Sequence, residues 1–568
     1  MKIRIIIIAM MVFTIAVIVL AALLSGGNLL VMNKNHLSPQ PTATSNNPIS
    51  RENMLQGSDA WQIPHGKAAT TQIQAYAGAT SVLPGQKLTF YVSLQTDNAP
   101  FSVEVYRLGW YGGAGGRLMT SQFNIVGHTQ GYYDPKENLL VGCPSCRSDP
   151  QTHLLEANWQ PSYVLTIGAD WTTGIYLAKF IDGTGLQTYV PFDVRGNDHS
   201  AYVAVTPDTT YAAYDTWGGA SLYELDDTVP GEDLNAARAS KVSFDRPYLE
   251  GNGSSQVLLY EVYAIHWWER QGYDISYISD VDLHENPAQL LNHRAYISLG
   301  HDEYWTKEMR DGVESARDHG VGLAFLGANA SYWQMRFEPD SAGVPDRIVV
   351  CYKVTSYPNT LANDPLYGSD NTRVTAQWRD PVIGRPENAL VGIMYSDFSH
   401  QQQGFPWVLS AQANAPFVDG TGLQTGQHYG CDVVGYEWDH VFMNGAGPAN
   451  LQVLATSSTK NQNGVADVSN TTYYIAPSHA LVFASGSIYW AQSLDNYRFL
   501  TDNLCSHQTS EVPGMQKLMA NIMNGLITPQ ALSGQALASA TRNPSSIGVG
   551  PNTVVADPLL RRRMTKKS

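Results

Sequence analysis

An apolar run, YISLG, ends at Gly300, and His301, Asp302, Glu303, Tyr304 and Trp305 follow at once. Downstream, Met309, Val313 and Ala316 recur at helical spacing, and a second apolar run, VGLAFLGAN, ends at Asn329. The pattern predicts strand, loop, helix, strand: a βαβ unit with its polar groups at the C-terminal strand ends. Open α/β sheets bind ligands in that crevice. The alternative role is a capped loop whose polar groups are merely satisfied.

Residues 60–197 show short alternating segments, among them KLTFYVSL, SVEVYRLG, SYVLTI, GIYLAKF and TYVPFDV, with turns such as LPGQ and DGTG. This spacing predicts an all-β sandwich domain. From about 198 through VGLAFLG strand and helix patterns alternate, and apolar strands return at VVGYEWD and HALVFASGSIYW, which predicts an α/β main domain over 198–530 with a mainly parallel sheet. Turns dominate about 340–430, read as an elaborating segment. Ahead of both domains, Ile5–Leu24 is an apolar run broken by one Thr and preceded by Lys2 and Arg4. It is long enough for a transmembrane helix. The basic residues then face the cytoplasm and the body is extracytoplasmic, on a single-pass anchor at 1–27. A cleaved signal peptide, giving a secreted protein, is the competing reading. Residues 28–59 read as a polar linker and 531–568 as a disordered tail.

The formal charge of −15 excludes a nucleic-acid footprint, which needs a basic face. The basic cluster RRRMTKK reads as a solvated tail. Low charge (15%) with 31 Tyr and 13 Trp suits a β-rich protein outside the cytoplasm. Cys143 and Cys146, in GCPSC, predict a loop disulfide, because no second CxxC completes a zinc site. Cys351, Cys431 and Cys505 leave an odd thiol.

Three familiar chemistries fit poorly. Cys351 and Cys431 lie inside apolar stretches and not on a nucleophile turn. GxSxG is absent. His301-x-Glu303 imitates the zinc deaminase HxE, but CPSC lies upstream of it. What remains is a set of aromatic and acidic clusters. In YAAYDTWGGASLY (211–223), Gly218 and Gly219 permit a tight turn displaying Tyr214, Asp215 and Trp217. The others are EVYAIHWWE around Tyr263, SDVDLH with Asp280 and Asp282, HDEYW, and GYEWDH with Glu437. Asp280 and Asp282 would equally serve as helix caps.

VYRLGWYGGAGGRLM (105–119), AYDTWGGASLY, WWERQGYDISYISDVDLH, GHDEYW and LAFLGANASYWQMR follow one another in a characteristic order. Over about 75–500 the chain resembles the large-subunit family of N,N-dimethylformamidase. The resemblance implies a mononuclear iron held by two tyrosines and a glutamate, in an enzyme that hydrolyses a small amide. Carried over, the ligands are Tyr304 from GHDEYW, Glu437 from GYEWD, and Tyr263, with Tyr260 as its competitor. Phenolate and carboxylate are hard oxygen donors suited to ferric iron. Such a metal would polarise the amide and acidify water. His301 or Glu303 would shuttle the proton, and Asn329 would hold the oxyanion or cap its loop. The partners expected are the amide substrate, the membrane, and a small partner subunit or further copies of the chain. The rival class is a non-catalytic binding protein for saccharide or cell-wall ligands, with Trp217, Trp305 and Trp333 lining its cleft.

Overall fold

The computed structural model describes residues 47–196, 199–223, 238–353, 364–410, 416–497 and 511–528. The alternating segments of the N-terminal third form two sheets. Lys87–Leu94 pairs antiparallel with Ile73–Ala77 and Tyr163–Thr166. A five-stranded sheet runs in the order Ser81–Val82, Gln187–Val194, Gly174–Asp182, Pro100–Leu108, Gly116–Val126. Phe90, Val103, Phe180 and Phe192 from the two sheets share one buried core. Each such side chain contributes about 1.5–3 kcal/mol on burial.

The largest sheet has seven strands, ordered Ile275–Ser279, Tyr202–Thr206, Ala295–Leu299, Gly322–Leu326, Leu481–Ala484, Ala466–Ile475, Gln452–Lys460. The first five pair in parallel, and the last two turn antiparallel. Between Ala295–Leu299 and Gly322–Leu326 lies the helix Lys307–Asp318. Its cap is Thr306, whose hydroxyl accepts the Met309 N–H at 3.2 Å, and it buries Met309, Val313 and Ala316.

This architecture corrects the expected α/β domain with a mainly parallel sheet. Among the described residues strand accounts for 34% and helix for 21%, with the strands spread over several mixed sheets. One reason is local. Asn461 accepts N–H bonds from Asn463 and Val465 at 3.0 and 2.9 Å, and Gly464 takes φ 75°. That Asx turn folds Gln452–Lys460 and Ala466–Ile475 into a hairpin, so two antiparallel strands extend the sheet beyond Leu481–Ala484. A second reason is that Trp333–Glu338 and Ile348–Val350 pair antiparallel in a separate four-stranded sheet.

The expected single-pass membrane anchor, from which the extracytoplasmic location was read, is corrected as well. Among the described residues no helix is long and apolar enough to cross a membrane, and Ile5–Leu24 lies outside them. The expected tail at 531–568 also lies outside the described residues. Part of the expected linker is packed: Pro48–Glu52 is a short helix that buries Ile49, and Glu52 accepts bonds from Tyr111 and Arg117. Cys143 and Cys146 form a disulfide, whereas Cys351 is free and buried.

Candidate active site

At the C-terminal ends of the parallel strands the backbone makes two close turns. Gly300 leaves Ala295–Leu299 with φ 55°, and Gly327 follows Gly322–Leu326. A Cβ on Gly327 would stand 1.7 Å from the Gly300 carbonyl oxygen, so only glycine fits. Two residues on, Asn329 has φ 58°. Its N–H donates to Asp439 at 2.8 Å and its Nδ2 to Glu437 Oε2 at 3.0 Å. These turns bring the GHDEYW loop, the Asn329 loop and the strand Glu437–His440 around one cavity of about 200 Å³.

The cavity is walled by Tyr214, Tyr223, Glu303, Asn329, Tyr436 and Glu437, with further aromatic rings including Trp333. His301 is fully buried behind it. Its Nε2 lies 3.2 Å from Glu437 Oε2 and 3.4 Å from Glu303 Oε2. Burial opposes the imidazolium, but Glu437 and then Glu303 outweigh it, and His301 is held above its ordinary value. Burial followed by the Glu437 charge pushes Glu303 up, against the pull of His301, Lys353 and Tyr223. The Tyr223 hydroxyl donates to Glu303 Oε1 at 2.6 Å, and the rings of Tyr214 and Tyr223 stand 4.4 Å apart. Burial first, then Glu303, holds both phenols well above the ordinary phenol value. The protein alone therefore keeps them neutral, and a bound cation would reverse that.

His301, Glu303, Asn329 and Glu437, read from separate motifs, thus meet in one place. Of the three residues assigned to the metal, only Glu437 lines the cavity. Tyr304 is buried with its ring 6.4 Å from that of Tyr223. Tyr263 packs against Tyr497 at 5.9 Å, whereas its competitor Tyr260 packs 6.2 Å from the cavity residue Tyr436. Among the described residues no group of three or more His, Cys, Asp or Glu is placed to hold a metal. Two phenols and a carboxylate do stand together, however, as Tyr214, Tyr223 and Glu303. In the sequence the Gly218–Gly219 turn already singles out Tyr214, and the same turn is the signal for Tyr223, which that reading misses. Both glycines have positive φ, 84° and 90°, which folds Tyr223 back onto Tyr214.

Other singled-out residues have structural partners. Asp302 accepts bonds from Ser298 at 2.7 Å and Trp305 at 2.6 Å, and burial pushes it up to about 6. Asp215 pairs with Arg246 at 3.2 Å. Asp282 completes the capping box of Asp280–Glu285 with Ser279. Trp217, fully buried, donates to Gln74, and buried Trp305 to Asp302. Neither can serve as a saccharide platform.

Two carboxyls beside the site give a pH dependence. Burial pushes Glu261, whose carboxylate faces the Tyr211 hydroxyl, up to about 8, and Asp439 up to about 7. Their unfolded values lie near 4. Folding therefore favours the protonated forms, and the folded state holds more protons than the unfolded state between about pH 4 and 8. This contribution is complete below about pH 4 and is lost as pH rises through 7 and 8. The thermal midpoint should be higher at pH 5 than at pH 8, and Glu261→Gln should flatten the difference. A midpoint that rises over this range contradicts the assignment.

The mixed sheet with a strand-end cavity of phenols, carboxylates and an imidazole defines an enzyme-like site of hard oxygen donors. Residues 102–504 match the family described as N,N-dimethylformamidase beta subunit-like, C-terminal, and the chain belongs to it. Over 462 residues it is 22% identical to the N,N-dimethylformamidase beta subunit of Paracoccus aminophilus, covering 68% of this chain and 58% of that one. Over 258 residues it is 22% identical to the namesake from Alcaligenes sp, covering 38% and 34%. The chain thus matches less than two thirds of either relative. A solved cycloisomaltooligosaccharide glucanotransferase of Paenibacillus sp. aligns over 51% of this chain and 36% of its own, at 13% identity and TM-score 0.13. So low a score carries no argument.

Proposed function

We propose that this protein hydrolyses a small amide or another C–N bond, with an iron held by Tyr214, Tyr223 and Glu303. The observation that carries the reading is the 2.6 Å contact of Tyr223 with Glu303, beside Tyr214 and facing the His301–Glu437 pair. The donor types are those the family resemblance implies, on different residues from those first assigned. A hard cation bound there would supply Lewis acidity and an acidified water. The chain's own residues do the rest. Glu437 lines the cavity and is placed to take a proton from a water there, with the imidazolium of His301, 3.2 Å away, stabilising its carboxylate. Asn329 donates one Nδ2 hydrogen to Glu437 and so orients that carboxylate. The aromatic walls and the small volume favour a compact, weakly polar substrate. Both relatives are named as beta subunits, and a further subunit is part of the proposal.

The test is spectroscopic and enzymatic. The purified protein loaded with ferric iron should show an intense tyrosinate charge-transfer band. Tyr223→Phe should shift or remove it, and Tyr304→Phe should not. Small N-alkyl formamides and acetamides should be hydrolysed by the loaded protein. Absence of the band and of hydrolysis after loading would overturn the proposal, and a band lost with Tyr304→Phe alone would return the ligand role to Tyr304.

A further inference from the structure

We propose that Thr209, Thr210 and Asp280 are positioning residues that lock the helix carrying Tyr214 to the loop carrying Glu303. The inference rests on the assignment of Tyr214, Tyr223 and Glu303 given above. The helix Asp208–Tyr214 spans seven residues, too few to hold its orientation without tertiary ties. Those ties come from adjacent side chains at its start. Thr210 Oγ1 accepts the backbone N–H of Glu303 at 3.0 Å. The Thr209 hydroxyl donates to the Tyr304 carbonyl at 2.8 Å and also meets Asp280 Oδ2, which accepts the Thr209 N–H at 2.9 Å.

The geometry explains why these bonds matter for the cavity. Tyr214 follows Thr210 by four residues, so both stand on one helical face. The contact that fixes the Glu303 backbone and the phenol beside the Glu303–Tyr223 pair therefore share one short rigid element. Thr209, Thr210 and Asp280 are fully buried, so water cannot replace a lost partner. The lock also gives Asp280 a role apart from the cap, which Asp282 and Ser279 complete.

The full-length protein can be tested with paired variants. Thr210→Val keeps the shape and removes the acceptor, while Thr210→Ser keeps the acceptor. Thr210→Val should expose the Glu303 amide to hydrogen exchange and lower kcat on a small amide by roughly 10- to 100-fold, with KM changed far less. Thr210→Ser should restore both. Asp280→Asn should behave as the parent, and Asp280→Ala as Thr210→Val, which covers the case in which Thr210→Val does not fold. Retained amide protection in Thr210→Val, or a Thr210→Ser variant as impaired as Thr210→Val, overturns the lock. Glu303→Gln separates the two ideas: full activity in that variant refutes the site assignment, while amide protection still reports on the lock.

Discussion

Replacing Glu303 by glutamine is expected to lower kcat by roughly 10²- to 10⁴-fold, the range typical of a removed acid, base or anionic ligand group. The shape of the side chain is kept, and the Tyr223 hydroxyl still finds an oxygen to donate to. What disappears is the negative charge. Glu303 is buried within 3.4 Å of His301, and burial first, then the Glu437 charge, raises its pKa. Gathering two carboxylates around one imidazole is unfavourable for the folded protein and useful only if a cation or proton is to be bound there. The variant should therefore melt at the same temperature as the parent or higher, and it should retain less ferric iron. Kinetics, metal content and thermal melting on one preparation decide the matter. A large loss of stability, or kcat within a few-fold of the parent, contradicts this role for Glu303.

The same residue shows what the sequence made legible. The apolar run to Gly300, the capped amphipathic helix and the run to Asn329 specify the βαβ unit, because helix and strand periods are local properties. The unit places His301 and Glu303 at a strand end without further information. Partner choice is a different kind of fact. Tyr214 and Tyr223 stand about eighty residues upstream of Glu303, and a period of two or 3.6 says nothing about which loops converge. Tyr263, on a helix and next in a family-like motif, looked equally eligible, yet its ring packs against Tyr497. The antiparallel hairpin at 452–475 was legible in principle from Asn463-Gly464 between alternating segments.

Removing one member of the Arg107–Glu269 pair is expected to destabilise the protein by about 3–5 kcal/mol, the cost of an uncompensated buried charge. Both side chains are fully buried. The guanidinium meets Glu269 twice, at 2.7 and 2.8 Å, and also donates to the carbonyls of Thr173 and Leu108 and to the Tyr111 hydroxyl. Glu269 in turn accepts from Asn53 at 2.8 Å and Tyr277 at 2.9 Å. The bonds tie the strand Pro100–Leu108 to the helix Val262–Gln271. They also explain part of the VYRLGWYGGAGG motif, which contributes no side chain to the cavity. A Cβ at Gly109 would stand 2.4 Å from Glu269 Oε2 and 2.8 Å from Arg107 Nη1, so glycine is what lets the pair close. Glu269→Ala leaves the arginine charged and without its carboxylate, and denaturant titration should register the full loss. Replacing both residues by leucine removes the stranded charge, so the double variant should be more stable than Glu269→Ala alone. If Glu269→Ala costs less than about 1 kcal/mol, the pair behaves like an exposed one. Water must then reach the guanidinium, and its burial between strand and helix is not what holds this junction.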